Sequence, residues 1–186
     1  MINLVFFLEE PSAREMLKGF IPRLLSEFDN INASYIVFEG KTDLEKQIVK
    51  KLKVWNKPDC RFVVLRDKDS GDCHTIKAEL AQKCIEAGKP DCLIRIACYE
   101  LESWYLGDLS AVEIALEIQG LSKKQNKRKY RQPDDLANAA EELEKLTDYK
   151  YQKISGSKKL GHCLSLCENK SHSFNVFVEG IKKIIK

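Results

Sequence analysis

No apolar run in this 186-residue chain approaches the ~20 residues a membrane-spanning helix needs. Cys-x-x-Cys is also missing. Seven scattered cysteines, an odd number, argue against a closed disulfide framework and for a reducing, cytoplasmic setting. Neither Gly-x-x-x-x-Gly-Lys-Ser/Thr nor Gly-x-Gly-x-x-Gly occurs, so the chain carries no phosphate-cradling loop, and any use of ATP falls to a partner. Internal repeats, low-complexity tracts and Pro/Gly/Ser-rich linkers are absent as well. The opening Met1–Leu8 is apolar but has no basic leader or small-residue cleavage site, and it reads as a strand rather than a signal peptide.

What is present fits an ordinary globule: 44% hydrophobic and 32% charged residues, enough for one core without disulfides. The net charge of +3 is unevenly spread. Lys123–Lys186 holds 15 Lys/Arg against 8 Asp/Glu, a net of +7, which leaves −4 for the preceding residues. An acidic front and a basic rear suit a cation site beside a polyanion-binding surface.

Strand and helix patterns alternate through the front half. Ile2–Leu8, Ala33–Phe38, Arg61–Leu65 and Leu93–Tyr99 read as strands. Between them, Ser12–Glu15 and Thr42–Glu45 have capping-box spacing and open helices, and Thr75–Ala87 is a third helix. The order βαβαβαβ predicts an α/β fold: a mostly parallel sheet of about four strands with helices on both faces. Residues 1–110 would form this core. Residues 111–186 would form a basic, mostly helical extension packed on it, with helices over Ser110–Ile118, Pro133–Leu146 and Phe174–Ile185 and a mixed Tyr149–Cys167.

Each strand runs into carboxylates: Glu9 and Glu10, then Glu39, then Asp67 and Asp69, then Glu100 and Glu102. The carboxyl ends of parallel strands share one edge, where ligands bind. Acids gathered there repel one another unless something positive neutralises them, and a divalent metal is the simplest neutraliser. In an extended segment Asp67 and Asp69 point the same way, as do Glu100 and Glu102. Mg2+, or Mn2+ in its place, takes such hard oxygen ligands and retains water for a phosphate substrate.

With those residues in view, the chain resembles the Toprim domain of topoisomerases, primases and overcoming-lysogenization-defect (OLD) type nucleases. More closely, it is similar to domain-of-unknown-function family 4276, a Toprim-like group. The likeness covers Phe6–Pro11, Phe62–Cys73, Ile94–Asp108, Tyr151–Lys153 and Ser173–Gly180, with Tyr99–Asp108 the most distinctive stretch. It implies a Toprim-like, Rossmannoid core in which Glu9 is metal ligand and possible proton carrier. Asp67 and Asp69 would hold Mg2+, and Glu100 and Glu102 would complete the acidic site. It also implies phosphodiester cleavage and a separate ABC-type ATPase partner in phage or foreign-DNA defence. The family pattern usually has glycine after the first glutamate, and here Glu10 stands there. Glu39-Gly40 keeps that glycine, so Glu39 is the alternate. Glu9 is preferred because the Toprim order places a strand between glutamate and Asp-x-Asp.

Lys123, Lys124, Lys127, Arg128, Lys129 and Arg131 make six basic residues in nine. The run suits phosphate contacts to nucleic acid, DNA rather than RNA, with Tyr130 available to stack on a base and Lys153 extending the track. Two other readings stand beside the nuclease: an aspartate-nucleophile phosphatase, and a non-catalytic adaptor for an ATPase.

Overall fold

The apolar runs of the front half form four strands: β1 (Ile2–Leu8), β2 (Ile31–Val37), β3 (Cys60–Asp67) and β4 (Leu93–Ala97). All pairings are parallel, in the order β2-β1-β3-β4. The structure is a computed structural model that describes all 186 residues. β2 begins at Ile31, two residues before the sequence pattern suggests, because its register pairs Ile2 with Ile31 along the whole of β1. β4 stops at Ala97, short of Tyr99, whose φ of 59° lies in the left-handed region and turns the chain out of the sheet.

Three helices make the crossovers: α1 (Pro11–Leu24), α2 (Lys41–Lys53) and α3 (Cys73–Glu86). Their starts differ from the capping-box reading. α1 begins at Pro11, whose missing N–H costs nothing in the first turn, and Ser12 lies buried inside it, donating its hydroxyl to Glu10. α2 begins after Gly40, which adopts a φ of 90° closed to other residues. Asp72 caps α3 by accepting from Thr75 N at 2.8 Å.

From β1 the chain first steps outward to β2, then reverses past β1 to β3 and β4. With right-handed crossovers that reversal puts α1 on one face and α2 and α3 on the other. The side chains follow the alternation of a strand. Leu4, Phe6 and Leu8 join the larger cluster of 34 buried residues with α1. Val5 and Phe7 join the smaller one with Leu44, Ile48, Ile76 and Leu80.

The rear half completes the α1 face. It contains α4 (Glu102–Leu106), α5 (Leu109–Leu116), α6 (Arg128–Arg131), α7 (Ala139–Leu146), α8 (Lys153–Cys163) and α9 (His172–Ile184), with 3-10 turns at Ser122–Lys124 and Pro133–Asp135. α8, in the stretch with no clear sequence pattern, lies directly on α1. A Cβ at Gly161 would sit 2.1 Å from the Met16 carbonyl oxygen, and one at Gly19 would sit 2.8 Å from Gly161 C, so both glycines are required by the close approach. Arg23 donates to Gly161 O at 3.0 Å across the same contact. α9 covers β4. Trp104 lies with its ring centroid 5.3 Å from Phe174 and 5.1 Å from Phe177, and its indole N–H donates to Ser173 Oγ at 2.8 Å. Asp134 accepts from Ser173 N at 2.7 Å, so the Ser173–Gly180 stretch serves the core.

Candidate functional site

In this strand order the direction of winding reverses between β1 and β3, the point where doubly wound sheets form a crevice at their carboxyl ends. Glu9 leaves β1 and Asp67 ends β3 at that crevice. The Asp67 backbone N–H donates to Glu9 Oε2 at 3.1 Å, and Gly40 N donates to the Glu9 carbonyl at 3.1 Å. The strand alternation separates the two side chains. Glu9 shares the α2 face with Arg66, whose Nε lies 3.9 Å away and whose guanidinium is also bonded to Glu45. Asp67 shares the α1 and α8 face with Leu65.

On that second face a group of polar side chains, called the acidic pocket below, sits against the core. Asp67 Oδ2 accepts from Leu101 N at 3.2 Å. Burial, then the charges of Glu10, Glu102 and Glu9, push the Asp67 carboxyl well above the ordinary aspartate range. Glu102, the first residue of α4, is 1% exposed. One of its oxygens accepts from Tyr151 OH at 2.8 Å, while Oε2 is buried with no partner. Burial raises its pKa, against the pull of Lys153 and Tyr151. Tyr105, whose hydroxyl is also buried without a partner, packs 6.0 Å from the Tyr151 ring. Glu9 is raised too, by burial, although the Asp67 N–H bond works the other way.

The positive charge facing Asp67 and Glu102 comes from Lys153, the first residue of α8, whose Nζ lies 2.6 Å from Glu10 Oε2. Burial opposes the charged ammonium, but Glu10, with Glu102 and Asp67 behind it, outweighs that and holds Lys153 above the usual lysine range. The sequence pattern puts Lys153 in the nucleic-acid track and makes Glu10 a departure from the family pattern. The structure places both in the acidic pocket. The legible signal was their position, one beside Glu9 and the other two residues after Tyr151.

The remaining acids lie elsewhere. Asp69 takes a φ of 52°, which breaks the alternation with Asp67, and bonds Lys41 Nζ at 2.7 Å. Glu100 and Glu102 do not share a face, because the turn at Tyr99 leads straight into α4. Glu100 Oε2 accepts from Ala140 N at 2.8 Å in the first turn of α7. Glu39 is exposed, and its backbone N–H donates to Asp43 at 3.1 Å. In the basic segment, Lys123 and Lys124 belong to a 3-10 turn, and Arg128, Lys129 and Arg131 to α6. Lys127, Arg128 and Arg131 are exposed, and Lys129 pairs with Glu142 at 2.6 Å. Tyr130 does not face out for stacking: it is 2% exposed and its hydroxyl donates to Glu142 at 2.6 Å.

The group offers carboxylate oxygens, the ligand type that a hard divalent cation takes. Mg2+ usually binds one or two carboxylates and completes its shell with water and substrate phosphate. Asp67 is hemmed in by like charge, and Glu102 has a buried oxygen with no partner. No three or more His, Cys, Asp or Glu side chains are arranged as a ready-made metal site, and that holds for this acidic group as well. No helix is long and apolar enough to cross a membrane.

Residues 8–182 match the profile of a family described as domain of unknown function (DUF4276), and the chain belongs to that family. No curated protein and no solved structure gives a match.

Proposed function

We propose that this DUF4276 protein is a Toprim-like, Mg2+- or Mn2+-dependent nuclease or nucleic-acid-processing subunit. It would cleave phosphodiester bonds in DNA and work in the cytoplasm with a separate ABC-type ATPase in defence against phage or foreign DNA. The observation that supports the reading is the joining of the β1 and β3 ends at the switch point, where the Asp67 N–H holds the Glu9 carboxylate on one face while the Asp67 carboxylate and the buried Glu102 lie on the other. Asp67 and Glu102, with Glu9 on the adjoining face, would hold the metal. Bound there, a divalent ion supplies Lewis-acid stabilisation of phosphate charge and lowers the pKa of water.

The chain's own residues define the rest. Leu101 N fixes one oxygen of Asp67, and Tyr151 OH orients Glu102. Glu9 is the candidate proton acceptor: it lies at the crevice and its pKa is raised by burial, which brings a carboxylate nearer to neutral-pH proton transfer. The exposed Lys123, Lys127, Arg128 and Arg131 would bind phosphates along the strand.

The Lys153–Glu10 pair favours a second reading. It partly neutralises the acids without any metal, as a non-catalytic adaptor of an ATPase would need. One experiment separates the readings: supercoiled plasmid with Mn2+, with and without the proposed ABC-type ATPase partner. Nicking that disappears in Asp67→Asn supports the nuclease. Co-purification with the ATPase and no nicking in either condition supports the adaptor. Hydrolysis of small phosphomonoesters, with beryllofluoride trapped on Asp67, would instead mark a phosphatase.

A further inference from the structure

Lys153 stands where helix electrostatics disfavour it. It is the first residue of α8, at the positive end of the helix dipole, and no side chain caps that terminus. What compensates is on the other side of the pocket: Glu10 Oε2 at 2.6 Å, with Glu102 and Asp67 next to it. Glu10 itself occupies the N-cap position of α1, where negative charge is favoured. α1 and α8 pack closely through Gly19 and Gly161 further along both helices, which sets their first turns near enough for Glu10 to reach the half-exposed Lys153 side chain. Arg66 offers no substitute, being occupied by Glu45 and Glu9 on the opposite face. The arrangement still leaves Glu102 Oε2 fully buried and unpartnered, so the ammonium offsets the charge of the pocket without bonding every acceptor in it.

From this we infer that the pocket formed by Glu10, Asp67 and Glu102 is a single cation site contested by two occupants, the Lys153 ammonium and a divalent ion. Entry of the divalent ion releases Lys153 from Glu10. The inference rests on the proposed metal reading of the same pocket and adds its regulation: the fold carries its own competitor, which keeps the acids neutralised until a divalent ion displaces it. A released Lys153 at the mouth of the crevice becomes a free cation for a phosphate.

The test uses the full chain and MnCl2. By calorimetric titration, Lys153→Met binds Mn2+ about tenfold or more tightly than the wild type, since one positive charge has left the pocket. Lys153→Arg, which keeps the charge, stays within about threefold of the wild type. A second readout avoids any folding defect of the variants. In the wild type, an amine-acylating reagent read out by mass spectrometry modifies Lys153, half exposed but paired with Glu10, faster when Mn2+ is present, while exposed lysines with no acidic partner, such as Lys159, are unchanged. Equal or weaker Mn2+ binding in Lys153→Met, or Lys153 acylation unaffected or slowed by Mn2+, overturns the competition and leaves the metal reading intact. Absence of Mn2+ binding in every form overturns both.

Discussion

The backbone N–H of Asp67 donates to the Glu9 carboxylate at 3.1 Å, joining the end of β3 to the end of β1 across the switch point of the sheet. The bond positions both groups without neutralising either. Both carboxyls lie above their usual range, and so does that of Glu102. The fold retains Asp67 and Glu102 on one face of the sheet edge and Glu9 on the other, each disfavoured by burial, a trade against stability.

That trade sets a pH dependence. Asp67, Glu102 and Glu9 have folded pKa values above their unfolded ones, so the folded state binds more protons. Their contribution is fully present below the unfolded pKa values, near ~4, and is lost as pH rises through the folded ones. In chelator, the stability contributed by this cluster therefore falls as pH rises above ~4. Asp67→Asn, which keeps an oxygen to accept from Leu101 N, flattens the fall. It is also more stable than the wild type at neutral pH, by about 1 kcal/mol or more. Urea denaturation across pH checks both.

Glu100 caps α7 rather than facing the pocket. Glu100→Ala should lower stability by about 1 kcal/mol, the usual cost of a lost N-terminal cap. Mn2+ affinity should be unchanged within error by calorimetry.

Gly161→Ala pushes a methyl against the Met16 carbonyl. Overpacking of this kind costs about 1–3 kcal/mol. Because backbone must give way, α8 shifts and carries Lys153 off Glu10. Thermal denaturation should show the loss, and Lys153 should become more reactive to an amine reagent without any metal.

In the basic segment, Lys129 is already paired with Glu142, whereas Arg128 and Arg131 have no ion pair. Replacing Arg128 or Arg131 by Ala should weaken binding to duplex DNA and reduce the slope of log affinity against log salt by about 1 each. Lys129→Ala should change the slope less. Fluorescence anisotropy at several salt concentrations reads this out.

The sheet was legible because β1 and β3, buried along most of their length, appear as continuous apolar runs, while β2, an edge strand with no buried residue, was legible only from Ala33 on. The gathering of acids was legible for the same reason, since parallel strands put their ends on one edge. Which acids meet was not. Strand alternation predicted Asp67 with Asp69 and Glu100 with Glu102, but the left-handed turns at Asp69 and Tyr99 broke both pairs. Lys153 could not be placed from sequence, because its position depends on α8 seating on α1 through Gly19 and Gly161, a contact between segments some 140 residues apart with no local pattern. Tyr130 looked like a stacking platform because its neighbours are all polar, yet the buried bond to Glu142 keeps it inside.

The most direct test of the central claim is an anomalous difference map from a crystal soaked in Mn2+. The account predicts a peak within coordination distance of Asp67, with Glu102, Glu10 or Glu9 as a second ligand and Lys153 moved away from Glu10. A well-ordered pocket with no peak, or a peak only on Asp69 or Glu39, would contradict it.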